Sequence, residues 1–304
     1  MKIVFMGTPE FAVPVLKSLH EKYEVVLAVS QPNRVKKKGV FVDTPVAAAA
    51  KALGIGLIQP EKIKDAVTAI LDISADVLVT AAYGQYLPSR LLNGFKACIN
   101  VHASLLPKHR GGAPIQRCLM NGDTKTGVSI MQMTKQLDAG RVYAMAEYSI
   151  TSEDTASSLF EKLSLLGRDL LMENILDIYT GKNLGIPQNE TEATYSPNIR
   201  PEEERIDLSR PADVILHQIR GLCYEPGAYL EVNGIKLKVF RAERVDWQGD
   251  ELPGTVLTVK KRIVLKVLDA AIELTEVLMP GKKILSGRDF SNGQKIFTEG
   301  AILK

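Results

Sequence analysis

Three cysteines in 304 residues are too few to frame a fold. Cys98, Cys118 and Cys223 stand far apart and form neither a CxxC pair nor an even set, which argues against disulfides and structural zinc and for a reducing compartment such as the cytoplasm. No apolar run approaches the ~18 residues that a bilayer demands. The opening Met1–Phe5 is too short, and too soon interrupted by Gly7-Thr8-Pro9, for a secretory signal. A cytoplasmic protein without membrane partners is expected. Neither sign of charge dominates: 38 Lys and Arg stand against 35 Asp and Glu, a net +3, so any affinity for a polyanion must come from local clusters. The loop Gly7-Thr8-Pro9-Glu10-Phe11 lacks both the GxGxxG spacing of dinucleotide sites and the Gly-Lys-Ser/Thr of phosphate loops. Nicotinamide and nucleotide enzymes lose most of their weight on that ground. Repeats and low-complexity tracts are missing too, apart from a short alanine run.

What remains is an ordinary globular composition, 45% hydrophobic and 24% charged, in a chain long enough for two domains. The first half alternates apolar runs with helix-like segments. Ile3–Met6, Val25–Val29, Gly56–Ile58, Val77–Ala81 and Cys98–Val101 read as strands. Thr8-Pro9 and Thr44-Pro45 read as helix starts, with Pro14 predicting an irregular first turn. Such alternation predicts an α/β fold with a doubly wound, mostly parallel sheet, whose ligands gather outside the carboxyl ends of the strands. Val128–Met133 and Val142–Ile150 are further strand-like runs, and a long helix is expected from Thr155 towards Tyr179. The proline-bearing stretch after Gly181 reads as a linker. Beyond it come a helix, Ala212–Leu222, and short strands at Ala228–Val232, Leu237–Ala242, Gly254–Val259, Ile263–Val267 and Ile272–Val277, a spacing that suggests a small β-barrel. The expected division is 1–181, a linker at 182–204, and 205–304.

The strongest chemical signal is Ile99-Asn100-Val101-His102. Strand alternation puts Asn100 and His102 on one face. An amide donor beside an imidazole suits stabilisation of charge on a carbonyl oxygen, and the ring can exchange protons near neutral pH. A hydrogen-bonded core histidine is the plainer alternative. His20 and His217 fall in expected helices, and His109, beside Lys108 and Arg110-Gly111-Gly112, reads as a solvated turn. Asp138, in Leu137-Asp138-Ala139-Gly140, has two readings, a carboxylate that orients a nearby imidazole and favours its protonated form and a common turn aspartate before glycine; spacing alone leaves both open. No second histidine accompanies Asn100, His102 and Asp138, and asparagine is a poor zinc ligand, so no metal is expected. Arg34, Lys36, Lys37 and Lys38 crowd a loop at the ligand edge of the sheet, either a solvated face or a contact for a phosphate backbone. Smaller basic groups are Lys260-Lys261-Arg262 with Lys266, and Lys282-Lys283.

Asn100-Val101-His102, Ser104-Leu105-Leu106-Pro107, Arg110-Gly111, Ala113-Pro114-Ile115-Gln116 and Leu137-Asp138-Ala139-Gly140 together resemble the folate-dependent formyltransferases. Phe5–Ala12, Ser30-Gln31-Pro32, Ala82–Pro88 and Gly127–Met133 extend the match, densely to about Gly181 and more loosely beyond. The resemblance implies a Rossmann-like catalytic domain with a smaller C-terminal barrel of OB type. It implies transfer of the formyl group of 10-formyltetrahydrofolate, a co-substrate, to the α-amine of methionyl initiator tRNA in translation initiation; a monomer is expected, though nothing in the sequence fixes the oligomeric state. Asn100, His102 and Asp138 carry over as the catalytic trio. Tyr83, Gly84, Leu87 and Pro88, with Ser104, Leu105, Leu106 and Pro107, carry over as the folate loops, and Arg34, Lys36, Lys37 and Lys38 as the tRNA-facing basic loop. That loop is shorter here than in many relatives and lacks their first glycine. The alternatives are an amino-sugar formyltransferase, a hydrolase releasing formate from the same donor, and a catalytically silent tRNA-binding protein. The basic loop and the absence of a fused sugar-modifying domain weigh against the first. The intact trio weighs against the last.

Overall fold

The computed structural model describes residues 1–36, 40–293 and 295–303. They form two compact units: Met1–Pro114 with Lys125–Ser149 and Phe160–Pro197, and Ile115–Thr124 with Ile150–Leu159 and Asn198–Lys304. In chain order the first unit contains β1 (Lys2–Gly7), α1 (Val13–Lys22), β2 (Glu24–Val29), β3 (Arg34–Lys36), β4 (Val40–Val42), α2 (Pro45–Ala52), β5 (Leu57–Ile58), α3 (Val67–Leu71), β6 (Val77–Ala81), α4 (Ser89–Leu92) and β7 (Ala97–His102). There follow α5 (Pro114–Met120), which runs into the second unit, then β8 (Lys125–Gln132), β9 (Val142–Ser149) and the long α6 (Ala156–Thr180).

The sheet order is β5-β2-β1-β6-β7-β8-β9. Its first five strands pair in parallel, while β8 and β9 run antiparallel to their neighbours. The doubly wound, mostly parallel sheet expected from the alternating pattern is therefore present. The chain starts in the middle at β1, winds outward through β2 and β5, then returns to β6 and β7, so the topological switch lies between β1 and β6. Those two strands are buried along nearly their whole length, which is why their sequences run apolar without alternation.

Local details correct the reading of the first helix. Thr8-Pro9 does not open it; a 3-10 turn at Glu10–Ala12 comes first, and α1 begins at Val13 with Pro14 in its first turn. Proline is tolerated there because that N–H has no helical partner anyway. Thr44 does cap α2, its hydroxyl accepting from the Ala47 N–H at 3.2 Å. Gly167 of α6 faces Val101 of β7, where an added Cβ would sit 2.7 Å from Val101 Cγ1. Glycine thus lets the helix backbone approach the strand that carries Asn100 and His102. The segment expected as a linker is not slack before Pro197. Ile186 and Val142 exchange backbone hydrogen bonds of 2.8 and 2.9 Å, and Ser196 donates to the Arg110 carbonyl at 2.7 Å.

The second unit carries α7 (Ala212–Leu222), β10 (Ala228–Val232), β11 (Ile235–Val245), β12 (Val256–Thr258), β13 (Ile263–Lys266), β14 (Ala271–Leu278), β15 (Leu285–Ser286) and α8 (Gly287–Gly293). Its antiparallel sheet, ordered β10-β11-β14-β13-β12 with β15 beside β14, curls into a half-barrel. Asn233 and Gly234 both take positive φ, 51° and 75°, the geometry a tight hairpin turn requires. Ile215, Ile219 and Leu222 of α7 join Leu230, Leu237, Val239, Ile263, Leu265, Ile272 and Leu274 in one core. Strand β11 outruns the expected Leu237–Ala242 because Glu243 and Arg244 keep pairing with β14 despite their charge. Lys266, grouped with the basic cluster from sequence, is buried, and its ammonium donates to the Val267 and Ala270 carbonyls.

Candidate active site

Strand β7 delivers Asn100 and His102 to the carboxyl end of the sheet, where β6 and β8 flank it. Asn100 is half-buried. Thr80, its partner across the β6–β7 ladder, donates its hydroxyl to Asn100 Oδ1 at 2.8 Å. With the oxygen occupied, the amide nitrogen is the end left to face a ligand. Thr80 Oγ also lies 3.1 Å from Met133 Sδ.

His102 is 6% exposed and Asp138 is 14% exposed. The ring is held at Nε2, 3.0 Å from the His109 carbonyl oxygen. A carbonyl only accepts, so Nε2 carries a proton. Nδ1 faces Asp138 Oδ2 at 3.7 Å, too far for a direct hydrogen bond but within ion-pair range. The carboxylate itself is anchored by the Gly111 N–H, which donates to Oδ2 at 2.8 Å. Asp138 has φ 48°, the left-handed region where aspartate is among the more tolerated residues. The structure thus brings His102 and Asp138 together. It also corrects the reading of His109 as a solvated turn, since that residue is half-buried and its backbone fixes the neighbouring imidazole.

The loops expected to meet folate are built from inside. Tyr83 and Leu87 bury their side chains in the cluster of Val4, Met6, Val29 and Leu91, and Leu106 packs on Met131 and Val142. Tyr83 Oη is buried without a hydrogen-bond partner, and burial pushes the phenol up to about 12. Ser129 Oγ donates to the Ser104 carbonyl at 2.7 Å and accepts from the Leu106 N–H at 3.1 Å, so β8 clamps the Ser104–Pro107 turn. Leu87, Ser104 and Leu106 are buried, Pro88, Leu105 and Pro107 are half-buried, and Tyr86 is exposed. An open cavity of about 700 Å³ lies at the β1/β6 switch, lined by Thr8, Pro9, Gln31, Glu61 and Ala82–Tyr86. It takes in Tyr83 and Gly84 of the expected residues, but not Leu87, Pro88, the Ser104–Pro107 turn or the trio.

Arg34 and Lys36 fall on β3, while Lys37 and Lys38 lie outside the described residues. Among the described residues no group of three or more His, Cys, Asp or Glu could hold a metal. Burial pushes the Cys98 thiol to about 12 and the Cys223 thiol to about 11, which argues against a thiolate nucleophile. No described helix is long and apolar enough to cross a membrane.

Residues 1–175 match the formyl transferase model and 198–295 the formyl transferase C-terminal domain. The chain belongs to the formyl transferase family. It is 44% identical over 302 residues to the methionyl-tRNA formyltransferase of Bacillus velezensis, covering 97% of this chain and 95% of that one. Among solved structures, HypX from Aquifex aeolicus in complex with tetrahydrofolic acid superposes with a TM-score of 0.67 at 18% identity. That match covers 94% of this chain and 46% of HypX, so the chain spans about half of HypX. The N-formyltransferase of Helicobacter canadensis, solved with folinic acid and dTDP-3-aminofucose, superposes at 0.69 with 17% identity over 90% of this chain and 98% of that one. These two show the fold.

Several groups of this formyltransferase escaped sequence reasoning. Thr80 could have been noticed as the polar residue in an apolar strand. The His109 carbonyl and the Gly111 N–H carry no sequence signal, because backbone groups look alike at every residue.

Proposed function

We propose that this formyltransferase moves the formyl group of 10-formyltetrahydrofolate to the α-amine of methionyl initiator tRNA, in the cytoplasm and as a monomer. The observation that carries the reading is the 44% identity to a methionyl-tRNA formyltransferase across nearly the whole of both chains. In this reading the neutral amine attacks the formyl carbon and negative charge develops on the formyl oxygen. Asn100, its amide turned by Thr80, supplies a donor where that charge appears. His102, protonated at Nε2 and open at Nδ1, stands with Asp138 where the amine's proton must leave and the departing nitrogen must gain one. The Tyr83–Pro88 and Ser104–Pro107 segments, with Tyr83, Leu87 and Leu106 turned inward and Tyr86 exposed, offer backbone donors and acceptors to the folate. The cations between Arg34 and Lys38 would meet the tRNA.

Removing one oxyanion donor typically costs ~3 kcal/mol of barrier, about a hundredfold in rate. Asn100→Ala is expected to lower kcat by about that factor with thermal unfolding unchanged; near wild-type turnover would remove Asn100 from the mechanism. An assay offering methionyl-tRNA and, separately, a dTDP-amino sugar tests the acceptor. Formylation of the sugar alone would overturn this reading in favour of the amino-sugar enzymes.

A further inference from the structure

Asp138 is held from two sides, and only one of them belongs to the site already described. On the far side stands Gln188, in the segment that follows α6. Its Nε2 donates to the Asp138 carbonyl at 2.8 Å and to the Gly140 carbonyl at 2.7 Å. Its Oε1 accepts from Arg110 Nε at 3.1 Å and Nη2 at 2.9 Å. The orientation of this amide is not arbitrary. Two carbonyls face the nitrogen and two guanidinium N–H groups face the oxygen, so turning it over would set acceptor against acceptor and donor against donor.

Arg110 completes the brace. Its side chain is 1% exposed, and its guanidinium also donates from Nη1 and Nη2 to Glu190 at 2.9 and 2.8 Å. Glu190 holds the guanidinium above its usual range and is itself held below the carboxylate range. The tripeptide His109-Arg110-Gly111 therefore makes three different contacts at once. The His109 carbonyl takes the His102 Nε2 proton, the Gly111 N–H takes the Asp138 carboxylate, and the Arg110 side chain reaches past both to Gln188. Gly140 fits only as glycine, since a Cβ there would meet the Gln132 carbonyl oxygen at 1.9 Å. The Asp138 turn is thus confined between β8 on one side and the Gln188 amide on the other.

We infer that Gln188, oriented by the buried Arg110, is a positioning residue for the reaction, setting the left-handed Asp138 turn and with it the 3.7 Å spacing between the carboxylate and His102 Nδ1. The inference rests on the reading of His102 and Asp138 as reacting groups. Displacing a catalytic group by about 1 Å can cost on the order of a hundredfold in rate. Gln188→Ala removes two donors that hold a turn rather than a substrate contact, so kcat is expected to fall ten- to a hundredfold while KM for both substrates stays within about twofold.

A double-mutant cycle with Asp138→Ala separates positioning from bulk stability. If Gln188 acts through Asp138, adding Gln188→Ala to Asp138→Ala lowers kcat less than twofold further. A second readout needs no turnover: the His102 ring ¹⁵N signals of the substrate-free protein should move in Gln188→Ala toward their positions in Asp138→Ala. Unmoved ring signals, or full additivity in the cycle, overturn the inference. If wild type formylates nothing and the ring signals still move, the functional reading fails while the positioning role stands.

Discussion

Asn100 is a symmetric tool until something breaks its symmetry. An amide offers a donor at one end and an acceptor at the other, and only the donor end stabilises a developing oxyanion. Thr80 favours one orientation, its hydroxyl donating to Oδ1 at 2.8 Å, the shortest of its contacts, ahead of Met133 Sδ at 3.1 Å and the Ile99 carbonyl at 3.4 Å. Thr80→Val keeps the shape of the side chain but leaves Oδ1 without that donor, so the amide can turn and present its oxygen for part of the time. We expect kcat to fall about three- to tenfold, a loss of about 1 kcal/mol as for a typical hydrogen bond, with Thr80→Ser restoring most of it. Steady-state kinetics on the two variants decides the point; equal rates for valine and wild type would mean that the strand alone orients Asn100. At this scale the sequence was legible where side-chain type and strand parity sufficed. Asn100 and His102 share a face because β7 is a strand, and that followed from Ile99 and Val101 alternating with them. Asp138 was legible only through the family resemblance and not from spacing, because its approach to His102 depends on the Gly111 N–H and the Gln188 amide, contacts that span 27 and 50 residues. Tyr83 was legible as a loop residue, but its phenol turns into the core.

Elements succeeded or failed by the same criterion. β1 and β6 are continuous apolar runs and α6 is long and periodic, and their bounds came within a residue or two of expectation. The short antiparallel pair β3 and β4, the helices α3 and α4 and the strand β15 are held by tertiary context rather than by periodicity, and none was foreseen. The 3-10 turn Pro201–Glu204 is a case where an element depends on a charge. Arg117 of α5 donates to Glu203 Oε2 at 3.0 Å, and the Arg200 N–H donates to the same oxygen at 3.0 Å. Arg117 beside Glu203 holds its carboxyl down at about 2, well below the ordinary 4.5. A carboxyl lowered on folding stabilises the fold above its unfolded pKa and loses that contribution as pH falls through the folded one. The window is therefore from about 4.5 down to about 2. Glu203 is partly exposed, so solvent screening limits the effect to about 1 kcal/mol. Urea unfolding at pH 7 and pH 3 is expected to show Glu203→Gln less stable than wild type at neutral pH, with the gap shrinking in acid. A gap that is constant with pH would mean that the turn is held by packing alone.

On the scale of the whole molecule, the charge is nearly balanced at +3, and a nearly neutral protein has no general attraction for a polyanion. If the acceptor is a tRNA, its affinity must be concentrated, and sequence offers one dense cluster, Arg34 with Lys36, Lys37 and Lys38. The other basic groups are thinner than they look in sequence. Lys266 is buried among carbonyls, and Arg262 is paired with Glu273 at 2.8 Å. Each phosphate neutralised by a cation releases counterion, so the logarithm of affinity falls with the logarithm of salt by roughly 0.7 to 0.9 per contact. Replacing Lys37 and Lys38 together by alanine is expected to raise KM for methionyl-tRNA severalfold, to reduce the salt slope by roughly 1 to 2, and to leave KM for the folate within about twofold. The last expectation is the discriminating one, because a loop that merely supported the fold would disturb both substrates. Filter binding from 50 to 200 mM salt measures the slope directly. If slope and KM match wild type, these lysines are a solvated face and the tRNA is gripped elsewhere.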